Sequence, residues 1–159
     1  MITLRPYRDD DQDAVVKLWW DSWHSIRPGL RHPRPFEDLR ARWAREIVPR
    51  QRIMVAAADG VVVGFAAADH TDRVLTQIFV APARKGKGIG HRLFLWAQTV
   101  MPEGFVLHTL VDNLTSRAFY ERHGLDAGDT EINPANGMRT VEYRWRPGPT
   151  SLTPRTGGP

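Results

Sequence analysis

The residues with the most evident chemistry are Pro82-Ala83-Arg84-Lys85-Gly86-Lys87-Gly88-Ile89-Gly90, set between an apolar run and a helical pattern. A helix N-terminus leaves backbone N–H groups unpaired, and its dipole favours anions. Glycines let that backbone approach a ligand without Cβ obstruction. Lys85 and Lys87 add cationic donors, and His91 follows directly, either as a phosphate contact or as an exposed helix residue. Together these residues predict a pyrophosphate cradle. It is not a P-loop, which would close on Gly-Lys-Ser/Thr, and Gly86, Gly88 and Gly90 do not fit G-x-G-x-x-G.

The charge balance points to the same place. The 159 residues hold 22 Lys and Arg against 18 Asp and Glu, for a net charge of +4. Arg84, Lys85, Lys87 and Arg92 lie within residues 81–92, which carry no acid; removing these four from 22 leaves 18 against 18. One basic spot on a neutral remainder suits a compact polyanion, whereas nucleic acid calls for a basic face. No nucleic-acid or membrane partner is expected. The chain has no cysteine, which removes disulfides, thiolate nucleophiles and cysteine metal sites and fits a cytoplasmic protein. His24, His32, His70, His91, His108 and His123 show no ligand spacing, so no metal is expected. The start, MITLRPYRDDDQ, lacks the apolar core of a signal peptide, and no apolar run nears the ~20 residues of a membrane span.

These residues must be held by elements that the periodicities outline. Ile2 to Tyr7 alternates as a strand, and Asp9, Asp10 and Asp11 offer N-cap oxygens to a helix reaching about His24. Ser25–Phe36 reads as a Pro-rich loop, and Phe36, Leu39, Trp43 and Ile47 mark a second helix ended by Pro49. Apolar runs at Ile53–Ala58 and Val61–Ala68 flank Asp59-Gly60, a hairpin turn, and Val74–Val80 is a third run. A helix follows the glycine loop, then a strand at Phe105–Val111, a short helix at Thr115–His123 and two final strands. The order β-α-α-β-β-β-α-β-α-β-β predicts an α/β fold with a mixed sheet. Residues 1–146 form one predicted domain, and the Pro/Gly-rich residues 147–159 a predicted disordered tail.

Lys85-Gly86-Lys87-Gly88-Ile89-Gly90 resembles the Q/R-x-x-G-x-G/A loop of the GNAT acetyltransferase superfamily. Lys in first position keeps a cation but loses a planar, bidentate contact. Asn113 … Ser116 … Phe119-Tyr120-Glu121-Arg122-His123-Gly124-Leu125 is similar to that family's N-x-x-A-x-x-F-Y-x-x-x-G-F segment, with Ser for Ala and Leu for Phe. Ile78-Phe79-Val80 stands where the family's fourth strand precedes the loop. The resemblance spans about residues 2–146. It implies a mostly antiparallel mixed sheet with a splayed parallel strand pair and flanking helices, binding acetyl-CoA as co-substrate with no metal.

Several roles follow from the resemblance. Residues 85–91 (Lys85, Gly86, Lys87, Gly88, Ile89, Gly90 and His91) would hold the pyrophosphate. The main chain of Ile78, Phe79 and Val80 would line the pantetheine, with the Val80 N–H polarising the thioester carbonyl. Tyr120 occupies the general-acid position; otherwise it is amphipathic core. Asn113 contacts the pantetheine or caps a helix, and Ser116 lies one turn before Tyr120. No Glu or His stands on the Val74–Ile78 strand as a base. His70, Asp69, Asp72, His108 or a water chain remain for that role.

The acceptor pocket is expected from the first helices, their connection and the last hairpin, with Trp23, His24, Arg27, His70, Gln77 and His108 as candidate contacts. Arg27, Arg31, His32 and Arg34 either bind an acceptor anion or form a solvated loop. The expected function is transfer of acetyl from acetyl-CoA to a primary amine on a small molecule. A protein N-terminus or lysine as acceptor, and a non-catalytic acyl-CoA sensor, are the alternatives. A homodimer through the C-terminal strands is among the assemblies the resemblance implies.

Overall fold

The structure is a computed structural model that describes residues 1–148. Most of the predicted tail, residues 149–159, lies outside the described residues. The elements run β1 (Ile2–Pro6), α1 (Gln12–His24), α2 (Phe36–Arg42), β2 (Arg52–Ala58), β3 (Val61–Asp69), β4 (Val74–Val80), α3 (Ile89–Val100), β5 (Phe105–Leu110), α4 (Leu114–Arg122), β6 (Asp126–Ile132) and β7 (Arg139–Trp145). The order is the one the periodicities predict.

One seven-stranded sheet in the order β1-β2-β3-β4-β5-β7-β6 organises the molecule. All neighbours are antiparallel except β4 and β5. The β2–β3 turn takes positive φ at both Asp59 (50°) and Gly60 (80°), as a two-residue hairpin requires. The pairing of β3 with β4 slips at Ala67/Ala68, so that Ala67 faces Gln77 while Ala68 faces Leu75. Thr76 is the extra residue, and its hydroxyl donates to the Ala67 carbonyl at 3.2 Å. The bulge changes which face β4 presents, as one extra residue must.

Helices cover the sheet on both sides. On one face α3 and α4 enclose a core that includes Leu93, Phe94, Leu107, Tyr120 and Tyr143. Gly64 in β3 permits this approach, since a Cβ there would lie 3.1 Å from both Ile89 Cγ2 and the Phe79 carbonyl oxygen. On the other face Val15, Val16, Trp19, Leu39 and Trp43 pack on Val55, Phe65 and Ala67. A third, smaller cluster joins Trp23 and Leu30 to Leu110.

Two local features depart from the sequence expectation. Asp9–Asp11 form a single 3₁₀ turn, and no Asp side chain caps α1. The Asp11 carboxylate turns back to accept from the Arg5 guanidinium at 2.7 and 2.8 Å and from the Arg8 N–H at 2.9 Å. The second helix also ends early: after Arg42 the chain widens into a π-helical turn at Trp43–Ile47, with the Val48 N–H bonding the Trp43 carbonyl. Trp43 is fully buried there, its indole N–H donating to the Tyr7 hydroxyl at 3.1 Å.

Candidate functional site

β4 and β5 meet in a single ladder pair, Val74 with Val106. Beyond that pair no ladder joins them among the described residues, and a pocket of about 570 Å³ opens between the end of β4, the start of α3 and α4. Ile78, Phe79 and Val80 from β4 line one wall, and Asn113, Ser116 and Tyr120 line the wall built by α4. Gly86, Gly88, Ile89 and Gly90 complete it at the start of α3.

The loop is shaped by backbone conformation. Gly86 (φ 80°) and Gly88 (φ 79°) are left-handed, a region that L side chains rarely adopt. Gly90 lies against α4, where a Cβ would stand 3.4 Å from the Phe119 ring. Among the described residues, the N–H groups of Gly86 through His91 make no hydrogen bond; the first one engaged is that of Arg92, to the Gly88 carbonyl at 3.1 Å. A row of free N–H groups at a helix start is a ready anion site.

The charges agree with this reading but not residue for residue. Arg84 and Lys85 line the pocket, Arg122 adds a cation from α4, and no carboxylate lines it. Lys87, predicted to bind phosphate, does not line it; it is exposed between the two left-handed glycines. Arg92 turns away and donates to the Ile2 carbonyl at 2.7 Å. The basic spot read from residues 81–92 is therefore half within the site.

Tyr120 is 5% exposed, and its hydroxyl has no hydrogen-bond partner among the described residues. No deeply buried side-chain polar atom is left unpartnered among the described residues, so this oxygen is open to the pocket it lines. Burial, with a smaller contribution from Tyr143, pushes the Tyr120 phenol well above its ordinary pKa. It is a proton donor across the neutral range. Asn113 caps α4, its Oδ1 accepting from the Ser116 N–H at 3.2 Å, and it also lines the pocket. The helix-capping reading of Asn113 holds, and its amide nitrogen has no hydrogen-bond partner among the described residues.

The residues predicted for the acceptor side are scattered. Among Trp23, His24, Arg27, His70, Gln77 and His108, none lines this pocket. Trp23 is core. His24 is a structural pin: Nδ1–H donates to the Trp20 carbonyl at 2.7 Å, and Nε2 accepts the His32 N–H at 3.1 Å. With both nitrogens engaged it cannot act as a base. Burial holds His32 below its usual pKa. Arg27 pairs with Asp112 at 3.3 Å. His70 sits at the β3–β4 turn, at the opposite end of β4 from Ile78–Val80. His108 stands on β5, with Nε2 3.5 Å from Glu142 and 3.7 Å from Glu131. Gln77 is nine-tenths buried on β4.

Sequence reasoning missed Ser22, which is buried, lines the pocket and donates to the Val80 carbonyl at 3.4 Å. It also missed Arg122 and His123, which line the same pocket. The helical spacing of Ser22 with Trp19 and Trp23 carried the signal for Ser22.

Known proteins are similar to this chain in sequence or in fold. A phosphinothricin N-acetyltransferase from Alcaligenes faecalis is 29% identical over 104 residues, covering 58% of this chain and 51% of that protein. The chain thus spans about half the length of this curated relative. Apo-form YjaB from Escherichia coli superposes with a TM-score of 0.74 at 18% identity, covering 93% of this chain and 99% of the other. The PaiA N-acetyltransferase of Thermoplasma acidophilum, solved with coenzyme A, gives 0.72 at 19% identity, covering 91% and 99%. No helix among the described residues is long and apolar enough to cross a membrane. Residues 13–125 match the acetyltransferase (GNAT) family, and the splayed strand pair, the glycine loop and Tyr120 all fall within them, so the chain belongs to that family.

Proposed function

We propose that this protein transfers the acetyl group of acetyl-CoA to a primary amine, by direct attack while both are bound, and that the acceptor is a small molecule. One observation carries the reading: a single pocket joins a buried, unpaired phenol at the strand splay to a row of free N–H groups at a helix start. That is the layout for a ligand with a reactive acyl end and a diphosphate end. The curated relative acts, by its name, on phosphinothricin, a small molecule.

Bound acetyl-CoA would supply an activated thioester. The chain's own residues do the rest. The N–H groups of Gly86, Gly88 and Gly90, with Lys85, hold the diphosphate, which fits glycines with nothing beyond the Cα. The backbone of Ile78 and Val80 lines the arm, and Ser22 fixes the Val80 carbonyl. Attack by the amine nitrogen forms the C–N bond as the C–S bond breaks, and Tyr120 delivers its proton to the departing sulfur. The surplus proton of the amine leaves through His108 or a water chain.

A non-catalytic acyl-CoA sensor is the competing reading. It draws on one observation: the pocket holds no carboxylate, and its two histidines are bonded to each other. An acceptor screen with acetyl-CoA, reading free thiol release over amino acids, polyamines, aminoglycosides and peptide N-termini, separates the two. Acceptor-dependent thiol release on a small amine supports the enzyme. Tight acetyl-CoA binding with no release on any acceptor supports the sensor.

A further inference from the structure

The phosphate end of the pocket contains a histidine pair. His91, on the first turn of α3, places Nδ1 2.9 Å from Nε2 of His123, at the end of α4. His123 in turn places its Nδ1 2.8 Å from the Phe119 carbonyl oxygen. Both rings line the pocket, and the His123 ring is stacked on Phe119 at 4.1 Å and packed by Phe94 at 5.3 Å. Nε2 of His91 has no partner among the described residues.

The hydrogens in this chain are fixed by its end. A carbonyl only accepts, so His123 Nδ1 carries a hydrogen and donates to Phe119. In the neutral pair His123 Nε2 is then bare, and His91 Nδ1–H donates to it. That leaves His91 Nε2 bare as well, on a residue that lines the pocket beside the free N–H groups of the loop. Now add one proton. If His91 takes it, Nε2 gains the hydrogen. If His123 takes it, its Nε2–H donates to His91 Nδ1, and the neutral His91 must carry its own hydrogen on Nε2. In both cases one proton converts His91 Nε2 from acceptor to donor.

We propose that the His91–His123 pair takes up one proton as a cofactor phosphate binds, and that this pair is a phosphate subsite in its own right. The inference rests on the acetyl-CoA reading above. The groups facing the pair are Arg84 and Lys85 from the loop and Arg122 from α4; no carboxylate lines the pocket. A phosphate bound there adds negative charge beside the pair, which favours a protonated imidazole. The phosphate is either the diphosphate or the 3′-phosphate of the nucleotide, since both belong to this end of the ligand.

Proton linkage tests the pair directly. Calorimetry of CoA binding at about pH 7.5 in buffers of different ionisation enthalpy should show net proton uptake, approaching one proton per CoA. The CoA dissociation constant should rise up to about tenfold per pH unit above pH 7. His91→Asn should abolish both the uptake and the pH slope. His123→Asn, which keeps the His91 Nε2 that changes role, should reduce them. Dephospho-CoA identifies the source: uptake lost assigns the 3′-phosphate, and uptake kept assigns the diphosphate. CoA binding with no proton uptake, or with uptake unchanged in His91→Asn, overturns the subsite and leaves the acetyl-CoA reading intact. Absence of CoA binding at every pH overturns that reading instead.

Discussion

The rings of Tyr120 and Tyr143 lie 5.4 Å apart in one core, yet only Tyr143 has its hydroxyl committed. It donates to Glu121 at 2.8 Å and accepts from Arg117 Nε at 3.0 Å, tying β7 to α4. Tyr120 keeps its hydroxyl free toward the pocket. Two adjacent phenols thus carry different duties, one structural and one available for chemistry.

Exchanging each for Phe should separate those duties. Tyr120→Phe should lower kcat at least tenfold, within the range of a lost general acid, with the CoA dissociation constant within about twofold of the parent. Tyr143→Phe should lower Tm by about 2–4 °C and leave kcat nearly unchanged. The sign of the Tyr120 shift adds a pH test. A raised phenol pKa keeps the acid protonated as pH rises, so no alkaline loss of kcat from this group should appear below about pH 10. Equal kcat in Tyr120→Phe and the parent would remove the acid role.

The glycine loop makes a second prediction. Gly88 caps α3 in a left-handed conformation with open space where a Cβ would go. Gly88→Ala should therefore cost only about 1–2 kcal/mol of backbone strain. Its added methyl would sit beside the anion site, so the CoA dissociation constant should rise by at least tenfold. Titration of CoA against each variant, beside thermal melts, checks both parts. A large fall in Tm with unchanged CoA affinity would mean that the loop serves the fold alone.

Arg5 and Asp11 offer a stability test away from the site. Their bidentate pair, with the Arg8 N–H, holds the Asp11 carboxyl below its usual pKa; the hydrogen bonds from Arg5 are the main cause. A depressed carboxylate contributes stability that is present above its unfolded pKa near 4 and lost as pH falls through the folded value. Asp11→Asn should cost about 1.5–3 kcal/mol at pH 7, by urea unfolding, and the gap to the parent should close below pH 4.

The element order and the glycine loop were legible because both are local. Asp59-Gly60 states its own turn, and Gly86, Gly88 and Gly90 state their own conformational need. What escaped were relations across the chain. Ser22 meets Val80 from 58 residues away, and His91 meets His123 from 32 residues away. Charge counting gave Arg92 to the loop, whereas only the packing of α3 beside β1 shows it turned toward Ile2. Helical spacing carried Trp43 and Ile47 into an α-helix because a π-helical turn preserves nearly the same face. The acceptor side was least legible, since it depends on how α1, the 25–35 segment and the last strands come together.

That side yields the remaining prediction, on the base. Of the side chains proposed, His70, Asp69 and Asp72 lie at the β3–β4 turn, at the opposite end of β4 from Ile78–Val80, which leaves His108. It stands on β5 beside the start of the splay, flanked by Glu142 and Glu131 within 3.5 and 3.7 Å of Nε2. Those carboxylates suit both an imidazole that receives a proton and an ammonium group that delivers one. His108→Gln should lower kcat about tenfold or more, with the CoA dissociation constant unchanged and with raised pH partly restoring the rate, because more of the free amine then arrives already deprotonated. Glu142→Gln should mainly raise the acceptor KM. If His108→Gln leaves kcat intact at every pH, the proton leaves through water, and the residues of β5 only shape the acceptor's seat.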